Sequence, residues 1–332
     1  MFQRLNDLRI TTPHKICIRI FFAVLTLTIS SPAALAATKF DFGGPLSSGS
    51  TPLADYVYYQ PSTFGFWFGV TAGTVPGTTG MPVFDFLGTP NRIAPADYNG
   101  DGFTDFGVFN GGPWVIHYSG VSGPIITGVG TGVGAVMGAV SDIPQSANFV
   151  GNSQAEIALF NSGAWTFQTL PGHTPLPAPG SPPIPFFGTA GDKPVTEDYD
   201  GDGYSDQAIF RPVSGTWWIR NSSSGAVVVF TWGISTDIPV PADYDGDGKA
   251  DIAVFRNGIW YILRSTSGSA LIISWGTAGD LPIPADYDGD GKADTAIYRA
   301  GAWWINGSFA GPWLIPGLGS STDEPVPHAY IQ

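Results

Sequence analysis

Cysteine, methionine and charged side chains are scarce in this sequence of 332 residues. It has one cysteine, three methionines and only 12% Asp, Glu, Lys or Arg. The one thiol, Cys17, lies in an N-terminal segment that we expect to be removed. Such a mature chain has no disulfide, thiol nucleophile or thiolate metal site. Its stability outside the cytoplasm must then come from packing and from bound ions.

The first 37 residues have the layout of a secretory signal peptide. An apolar run from Ile20 to Ile29 precedes the small-x-small site Ala34-Leu35-Ala36, and four basic residues come before the run: Arg4, Arg9, Lys15 and Arg19. A retained membrane anchor is the alternative, but the run is shorter than the roughly 20 residues that span a bilayer. The sequence therefore predicts a signal peptide at 1–37 and a protein that is secreted, periplasmic or held at the cell surface.

Basic residues are few as well. The predicted leader holds four of the 14 basic and one of the 27 acidic residues, which leaves 10 basic and 26 acidic residues and a net charge of −16. A chain with this charge repels phosphate-rich polymers, which excludes nucleic acid and anionic membrane surfaces as partners. We expect no membrane insertion after cleavage, and a monomer.

A sustained helical period is missing after the leader, and this pattern indicates an all-β chain. A Gly-x-Trp triplet occurs six times, each after an apolar run that ends in an aromatic residue, and its tryptophans are 43 to 52 residues apart: Trp67, Trp114, Trp165, Trp217, Trp260 and Trp303. We call the six units repeats 1 to 6, and they cover about 38–90, 91–142, 143–192, 193–237, 238–280 and 281–332.

Each repeat is predicted to form four short strands. In repeat 5 these are "IPVPAD", "DIAVFR", "IWYILRS" and "ALIISWG", with a tight turn at Asn257-Gly258. Four strands in 40 to 50 residues are typical of one β-propeller blade. The predicted fold is therefore an all-β, six-bladed propeller of four-stranded blades over residues 38–332. We expect the repeated tryptophans to pack between neighbouring blades; the alternative is that they stack on sugars.

Acidic loops follow the first predicted strand in four repeats. Aspartate, or asparagine once, fills the first, third, fifth and ninth positions, and glycine fills the fourth and sixth. The four sets are Asp97, Asn99, Asp101 and Asp105; Asp198, Asp200, Asp202 and Asp206; Asp243, Asp245, Asp247 and Asp251; and Asp286, Asp288, Asp290 and Asp294. We name these segments loops 2, 4, 5 and 6 after their repeats. Carboxylates this close repel one another unless a cation lies between them.

Oxygen ligands at this spacing suit calcium, which takes six to eight oxygens. The seventh position would add a backbone carbonyl, from Phe103, Tyr204, Lys249 and Lys292. We therefore predict about four structural Ca²⁺ ions, which would bring the net charge to about −8. An EF-hand is excluded because its loop is 12 residues long and lies between helices.

Two repeats depart from the acidic pattern. Repeat 3 has Asn148, Val150, Asn152 and Glu156 where the ligands would be, and repeat 1 has a longer neutral segment between Asp41 and Asp55. We expect no ion in either.

These residues resemble a known family, the FG-GAP/VCBS-type repeat propellers, which include the head of integrin α subunits and many secreted bacterial proteins. The resemblance rests on the "DxDGDGxxD" loops, the Pro-Ala-Asp-Tyr before them and the "DIAVFR" after them, and it covers the mature chain nearly end to end. It implies a propeller with calcium in these loops. It implies no single activity, since family members include adhesins, lectins and accessory domains of enzymes.

Arginine follows the aromatic residue in repeats 4 to 6, at Arg211, Arg256 and Arg299. We expect these arginines to pair with a carboxylate or carbonyl of a neighbouring blade; the alternative is a basic ring near a pocket. An aspartate also recurs at one repeat position and is interpreted as structural: Asp142, Asp192, Asp237, Asp280 and Asp323.

The chain end, "STDEPVPHAYIQ", repeats "STDIPVPADYDG" from repeat 5 and stops before a loop. The leading strand of a blade is thus present at both ends of the chain. We expect residues 325–331 to close the ring beside residues 38–42.

No catalytic constellation stands out in the sequence, so we predict no enzyme and no catalytic residue. The predicted function is a binding or adhesion module for an extracellular protein or a glycan. Two alternatives remain open: a glycan lyase or hydrolase with its site in the central channel, and a purely structural surface protein.

Overall fold

A computed structural model describes residues 56–60, 66–70, 83–84, 92–118, 125–127, 138–151, 154–168 and 183–326. The predicted leader and residues 38–42 lie outside this part of the chain. The described residues form strands, turns and loops, and no helix among them has the length and apolar character needed to cross a bilayer. The strands are β1 Tyr56–Gln60, β2 Phe66–Val70, β3 Val83–Phe84, β4 Arg92–Ile93, β5 Phe106–Phe109, β6 Trp114–Tyr118, β7 Ile125–Thr127, β8 Ile143–Pro144, β9 Ile157–Asn161, β10 Ala164–Gln168, β11 Lys193–Pro194, β12 Gln207–Arg211, β13 Thr216–Arg220, β14 Val227–Thr231, β15 Ile238–Pro239, β16 Ile252–Arg256, β17 Ile259–Leu263, β18 Ala270–Ser274, β19 Leu281–Pro282, β20 Thr295–Arg299, β21 Ala302–Gly307, β22 Gly311–Ile315 and β23 Glu324–Pro325.

The strands form antiparallel sheets that follow the repeats. Five sheets have four strands, in the orders β23-β1-β2-β3, β4-β5-β6-β7, β11-β12-β13-β14, β15-β16-β17-β18 and β19-β20-β21-β22; a sheet of three strands has the order β10-β9-β8. We number the sheets by their repeats, so sheet 1 contains β1 and sheet 3 contains β9. The prediction of an all-β propeller is confirmed.

Burial falls from the second strand to the fourth in sheets 4, 5 and 6. In sheet 5, the first four residues of β16 are buried, alternate residues of β17 are buried, and β18 is mostly exposed. This gradient explains the sequence pattern: a strand buried on both faces is a continuous apolar run, and a half-buried strand alternates. The second strand therefore lies deepest between neighbouring sheets.

The turn predicted at Asn257-Gly258 is confirmed. Both residues have positive φ, +50° at Asn257 and +86° at Gly258, as a type I′ hairpin turn requires. A Cβ on Gly258 would also lie 2.4 Å from the carbonyl oxygen of Gly276, so glycine is needed there for space as well.

Sheet 3 departs from the predicted four strands. Among the described residues, a short bridge between Phe186 and Ala164 takes the place of a fourth strand. Pro183 and Pro185 flank Ile184 in this segment. Proline has no N–H to donate to a ladder, which explains why a regular strand does not form there.

The repeated tryptophans pack between neighbouring sheets, as predicted. Trp114, Trp217, Trp260 and Trp303 are completely buried. The core around Trp260, for example, includes Ile297 of sheet 6. Truncation of such a residue to alanine costs about 3–5 kcal/mol. The side chain of Trp67 lies outside the described part.

The two ends of the chain meet in sheet 1. Strand β23 pairs with β1 through Tyr58–Pro325 and Tyr59–Glu324. A C-terminal strand therefore completes the sheet of repeat 1, with β1 as its partner, whereas the predicted pairing of residues 325–331 with residues 38–42 stays a prediction because 38–42 and 327–331 lie outside the described residues.

The recurring arginines form ion pairs with the recurring aspartates, but each pair lies within one sheet and not between neighbouring blades as predicted. In the pair of Arg256 with Asp237, Nε lies 2.6 Å from Oδ1 and Nη2 lies 2.7 Å from Oδ2. Asp237 directly precedes β15, and Arg256 ends the adjacent β16, so the pair fastens that end of sheet 5. Arg211 with Asp192 and Arg299 with Asp280 repeat this arrangement.

Candidate metal centres in the acidic loops

The first aspartate of each acidic loop is held by the two glycines. In loop 5, the N–H of Gly246 donates to Oδ1 of Asp243 at 2.6 Å, and the N–H of Gly248 donates to Oδ2 at 2.8 Å. Both glycines have φ near +80°, which L side chains rarely adopt. The glycine spacing thus folds the loop around its first carboxylate. Burial nevertheless raises the pKa of Asp243, against these hydrogen bonds.

The ninth aspartate is fully buried and ties three segments together. Oδ2 of Asp251 accepts the N–H of Tyr244 at 3.0 Å, and Oδ1 accepts the N–H of Ser265 at 2.7 Å. Asp206 and Asp294 make the equivalent bonds. Burial raises the pKa of the ninth aspartate in each case, to about 6 for Asp206 and Asp251 and to about 7 for Asp294.

The hairpin between the third and fourth strands covers each loop of sheets 4 to 6. In sheet 5, Ser265 Oγ donates to Asp247 at 2.9 Å, and Thr266 Oγ1 donates to Asp245 at 2.7 Å. Ser222 and Ser308 occupy the place of Ser265 in the other two sheets. These hydroxyl groups orient the carboxylates of the third and fifth positions.

Our reading of the sequence missed these serines, although a signal for them exists. Serine lies five residues after the repeated tryptophan in repeats 2, 4, 5 and 6, at Ser119, Ser222, Ser265 and Ser308, whereas repeats 1 and 3 have Ala72 and Leu170 there. Serine therefore accompanies the acidic loops and is absent where the acidic pattern is lost.

Carboxylate oxygens converge in three of the four loops. One oxygen from each member lies within 4.8 Å of the others in the sets Asp198, Asp200, Asp206; Asp243, Asp245, Asp251; and Asp286, Asp288, Asp290. Several acidic clusters can thus hold a metal ion. Within the described residues, the buried Oδ1 atoms of Asp245 and Asp288 have no hydrogen-bond partner. An anionic oxygen that is buried without a partner is costly, so this donor set fits a cation.

Loop 2 differs in its third position. Nδ2 of Asn99 donates to Asp101 at 3.1 Å, and Oδ1 of Asn99 accepts the N–H of Asp101 at 2.8 Å. The first carboxylate, Asp97, is held by Gly100 and Gly102 as in the other loops. The structure therefore brings the loop backbone into the shared form, and Asn99 turns toward Asp101.

The seventh residue of each loop donates its N–H to the fifth aspartate. These bonds are 2.9 to 3.0 Å long and come from Phe103, Tyr204, Lys249 and Lys292. The role of their carbonyl oxygens as ligands stays a prediction.

Segment 148–156 of repeat 3, here named loop 3, has no converging acids among its described residues. Asn148 accepts the N–H of Gly151, and Glu156 accepts the N–H of Phe149 through Oε2. The other oxygen, Oε1, is buried without a partner in this part of the chain, and burial raises the pKa of Glu156 to about 7. Asn152 is outside the described residues.

Backbone hydrogen bonds join each loop to the next sheet. The carbonyl of Asp198 accepts the N–H of Ala250 at 2.7 Å, and the carbonyl of Asp243 accepts the N–H of Ala293 at 2.6 Å. The loops therefore contribute to the contact between neighbouring sheets.

Comparison with known proteins supports this architecture. Residues 198–254, which include loops 4 and 5, match the model of the FG-GAP-like repeat family. Among curated protein sequences, no significant match was found.

Solved structures resemble the chain at low identity. An Agrocybe aegerita lectin that recognises non-reducing terminal N-acetylglucosamine is 16% identical, with 83% of this chain and 80% of that chain covered and a TM-score of 0.49. BBS1N, in a complex with ARL6DN, is 10% identical, with 82% and 84% covered and a TM-score of 0.43. The family match over residues 198–254 and the repeated sheets and loops thus support an FG-GAP-type repeat propeller.

Proposed function

We propose that the chain is an exported, calcium-stabilised propeller of six blades that binds a surface protein or a glycan without catalysis. The observation that carries the proposal is the convergence of three carboxylates in the equivalent loops of sheets 4, 5 and 6, from positions one, three and nine in loops 4 and 5 and from positions one, three and five in loop 6. Oxygen-only ligands on a nine-residue loop suit calcium. Loop 2, which has the same glycine-held first aspartate, would be the fourth site.

In this proposal each numbered sheet is one blade, and the pairing of β23 with β1 closes the ring. Calcium would neutralise the acidic loops and hold them against the hairpins of their own blades. The rest of the surface would be free for a partner. The charge of the mature sequence, with 10 basic and 26 acidic residues, disfavours an anionic partner.

Calorimetric titration of calcium into the chelator-treated protein tests the ion sites. We expect about four ions per chain and a melting temperature that falls in excess chelator, because an ion that binds only the folded state stabilises it by mass action. An identical melt in calcium and in chelator would contradict the proposal.

A screen for turnover, run beside a glycan array on the same polysaccharides, separates a binding module from the alternative enzyme. Binding without turnover is expected. Turnover that is lost in Glu197→Gln, a variant of an acid outside the repeated ligand positions, would instead favour the enzyme. Mass analysis of the exported protein tests cleavage after the predicted leader at 1–37.

A further inference from the structure

A cavity of about 250 Å³ lies beside the acidic loops, where sheets 2, 3 and 4 adjoin. Residues of all three sheets line it, among them Phe103, Gln145, Ser146, Thr196, Glu197 and Tyr204. Pockets for drug-sized ligands have volumes of roughly 300–1,000 Å³, so this cavity has room for a single ring. Residues of loop 3, the loop without the repeated acids, also line it.

The cavity is lined by polar residues at positions that are apolar in other repeats. Blades 5 and 6 have Pro241 and Pro284 two residues before the first aspartate, whereas Ser146 and Thr196 occupy this position in blades 3 and 4. Proline is the repeat's own residue at this place, so a polar substitute in two adjacent blades is a local change at the cavity.

Two further positions carry a polar residue where blade 5 has an apolar one. Gln145 stands where blade 5 has Val240, and Glu197 stands where blade 5 has Ala242. Gln145 is buried, and its Nε2 donates to the carbonyl of Pro144, which leaves Oε1 as an acceptor. The segments that directly follow β8 and β11 thus carry four polar residues in place of an apolar consensus.

Two buried hydroxyl groups of the cavity wall have at most one partner. Ser146 and Thr196 are 3% and 7% exposed, and among the described residues the Thr196 hydroxyl has no hydrogen-bond partner. The Tyr98 hydroxyl donates to the carbonyl of Ala94, lies beside Ser146 and interacts with its hydroxyl, so the lack of any partner is complete only at Thr196. A buried polar group without a partner costs about 1–3 kcal/mol. A ligand with its own hydroxyl groups would remove this cost.

Aromatic rings replace lysines around the cavity. The seventh loop position is Phe103 in blade 2 and Tyr204 in blade 4, but Lys249 and Lys292 in blades 5 and 6. Flat apolar faces beside hydroxyl and amide groups are the combination that contacts both the C–H and the O–H groups of a sugar ring.

We propose that this cavity binds one ring of a neutral sugar. The inference deepens the proposed function, on which it rests, and names the ligand class of the binding module. Acids contribute to the wall, at Asp97, Glu197 and Asp198, and no lysine or arginine does so among the described residues. Asp97 and Asp198 are proposed calcium ligands, so in calcium the charge of Glu197 is the one that selects against sugar acids. Ser146 and Thr196 would each donate and accept one hydrogen bond, and Gln145 Oε1 would accept another.

The test titrates single sugars into the full chain in calcium, by calorimetry and by saturation-transfer NMR. The probes are glucose, galactose, mannose, fucose and N-acetylglucosamine, with glucuronate as the charged comparison. At least one neutral sugar should bind saturably with one site per chain. Glucuronate should bind at least tenfold more weakly than glucose.

The decisive variant restores the repeat consensus, Ser146→Pro with Thr196→Pro. Proline occurs at this position in blades 2, 5 and 6, so the variant should fold and bind calcium as the wild type does. Its affinity for the sugar should fall at least tenfold. The matched control, Pro241→Ser in blade 5, should leave the affinity unchanged.

Two outcomes would overturn the inference. If no neutral sugar binds saturably, the two hydroxyl groups only hold water, whereas calcium dependence and binding to a protein partner would still support the module. If a sugar binds the double variant as tightly as the wild type, the site lies elsewhere on the propeller and the binding function stands. Loss of calcium dependence, with sugar binding kept, would instead count against the proposed function alone.

Discussion

Asp251→Asn is the sharpest perturbation of the proposed calcium sites. Asp251 is fully buried, and its two oxygens accept the N–H groups of Tyr244 and Ser265. It also converges with Asp243 and Asp245. Asparagine keeps the shape of the side chain, removes the charge and replaces one acceptor oxygen with an NH₂ group.

Two opposing effects act on the variant without calcium. The NH₂ group faces an N–H that then has no acceptor, which costs about 1–3 kcal/mol. Against this, burial raises the pKa of Asp251 from 3.8 to about 6. A carboxyl whose folded pKa is raised loses stability as the pH rises from about 4 to 6, and at pH 8 the loss is complete, roughly 3 kcal/mol. The variant should therefore unfold in chelator at pH 8 within about 2 kcal/mol of the wild type.

In calcium, the stabilities of the variant and the wild type should differ more than they do in chelator. At a concentration 100-fold above its Kd, an ion stabilises the folded state by about 2.7 kcal/mol per site. Urea unfolding followed by tryptophan fluorescence, in calcium and in chelator at pH 8, measures the gain for each protein. The gain of Asp251→Asn should be about 2.7 kcal/mol smaller than that of the wild type, because one site is lost.

The matched control is Glu156→Gln, at the same loop position in repeat 3, where we expect no ion. Its gain from calcium should equal that of the wild type. Equal gains for Asp251→Asn and the wild type would refute the assignment of Asp251 as a ligand, whatever the absolute stabilities.

Three further predictions concern parts of the fold outside the acidic loops. Arg256→Ala should lower the free energy of unfolding by about 2–3 kcal/mol, because it leaves the buried Asp237 carboxylate without its bidentate partner; a loss under about 0.5 kcal/mol in urea unfolding would contradict this. Burial raises the pKa of Glu156 from 4.5 to about 7, so this carboxyl loses stability as the pH rises from about 4.5 to 7, roughly 3 kcal/mol in all; Glu156→Gln should flatten the measured profile, and an unchanged slope would argue against it. Ala300 has a φ of +49° in the turn where repeat 5 has Asn257; since a left-handed alanine costs about 1–2 kcal/mol, Ala300→Asn should raise the melting temperature, and a lower value would contradict the reasoning.

The sequence repeat made the fold predictable because each structural feature recurs in several repeats. The Asn257-Gly258 turn, the buried tryptophans and the pairing of Arg256 with Asp237 each follow from a residue that repeats at a fixed offset. A feature that occurs in only one repeat has no such support. The short bridge of Phe186 in sheet 3 belongs to this class, and its flanking prolines give it a reason only once the neighbouring strand is known.

The sequence predicted the carboxylates of the acidic loops but not the other groups that form the sites. Nine-residue spacing identified the carboxylates, yet the hydroxyl groups that orient them come from a hairpin about 20 residues later, as Ser265 does for Asp247. A contact between two segments of one blade leaves no local pattern. Only a comparison of the repeats with one another, by the presence of serine where acids are present, connects the two segments.

Comparison of the repeats also identifies the positions at which one repeat departs from the consensus of the others. In blades 5 and 6, Pro241 and Pro284 belong to the apolar consensus, and the equivalent Ser146 and Thr196 are buried hydroxyl groups, of which Thr196 has no partner in the described structure. A repeat protein obtains its stability from interfaces between similar neighbours, so departures that cost stability at one interface need a separate cause. Loop 3 lacks the repeated acids, repeat 3 lacks the serine, and the polar departures lie at the same interface. The buried hydroxyl groups of Ser146 and Thr196 thus lower the folding stability at this interface. A ligand bound in the cavity beside them would restore that stability.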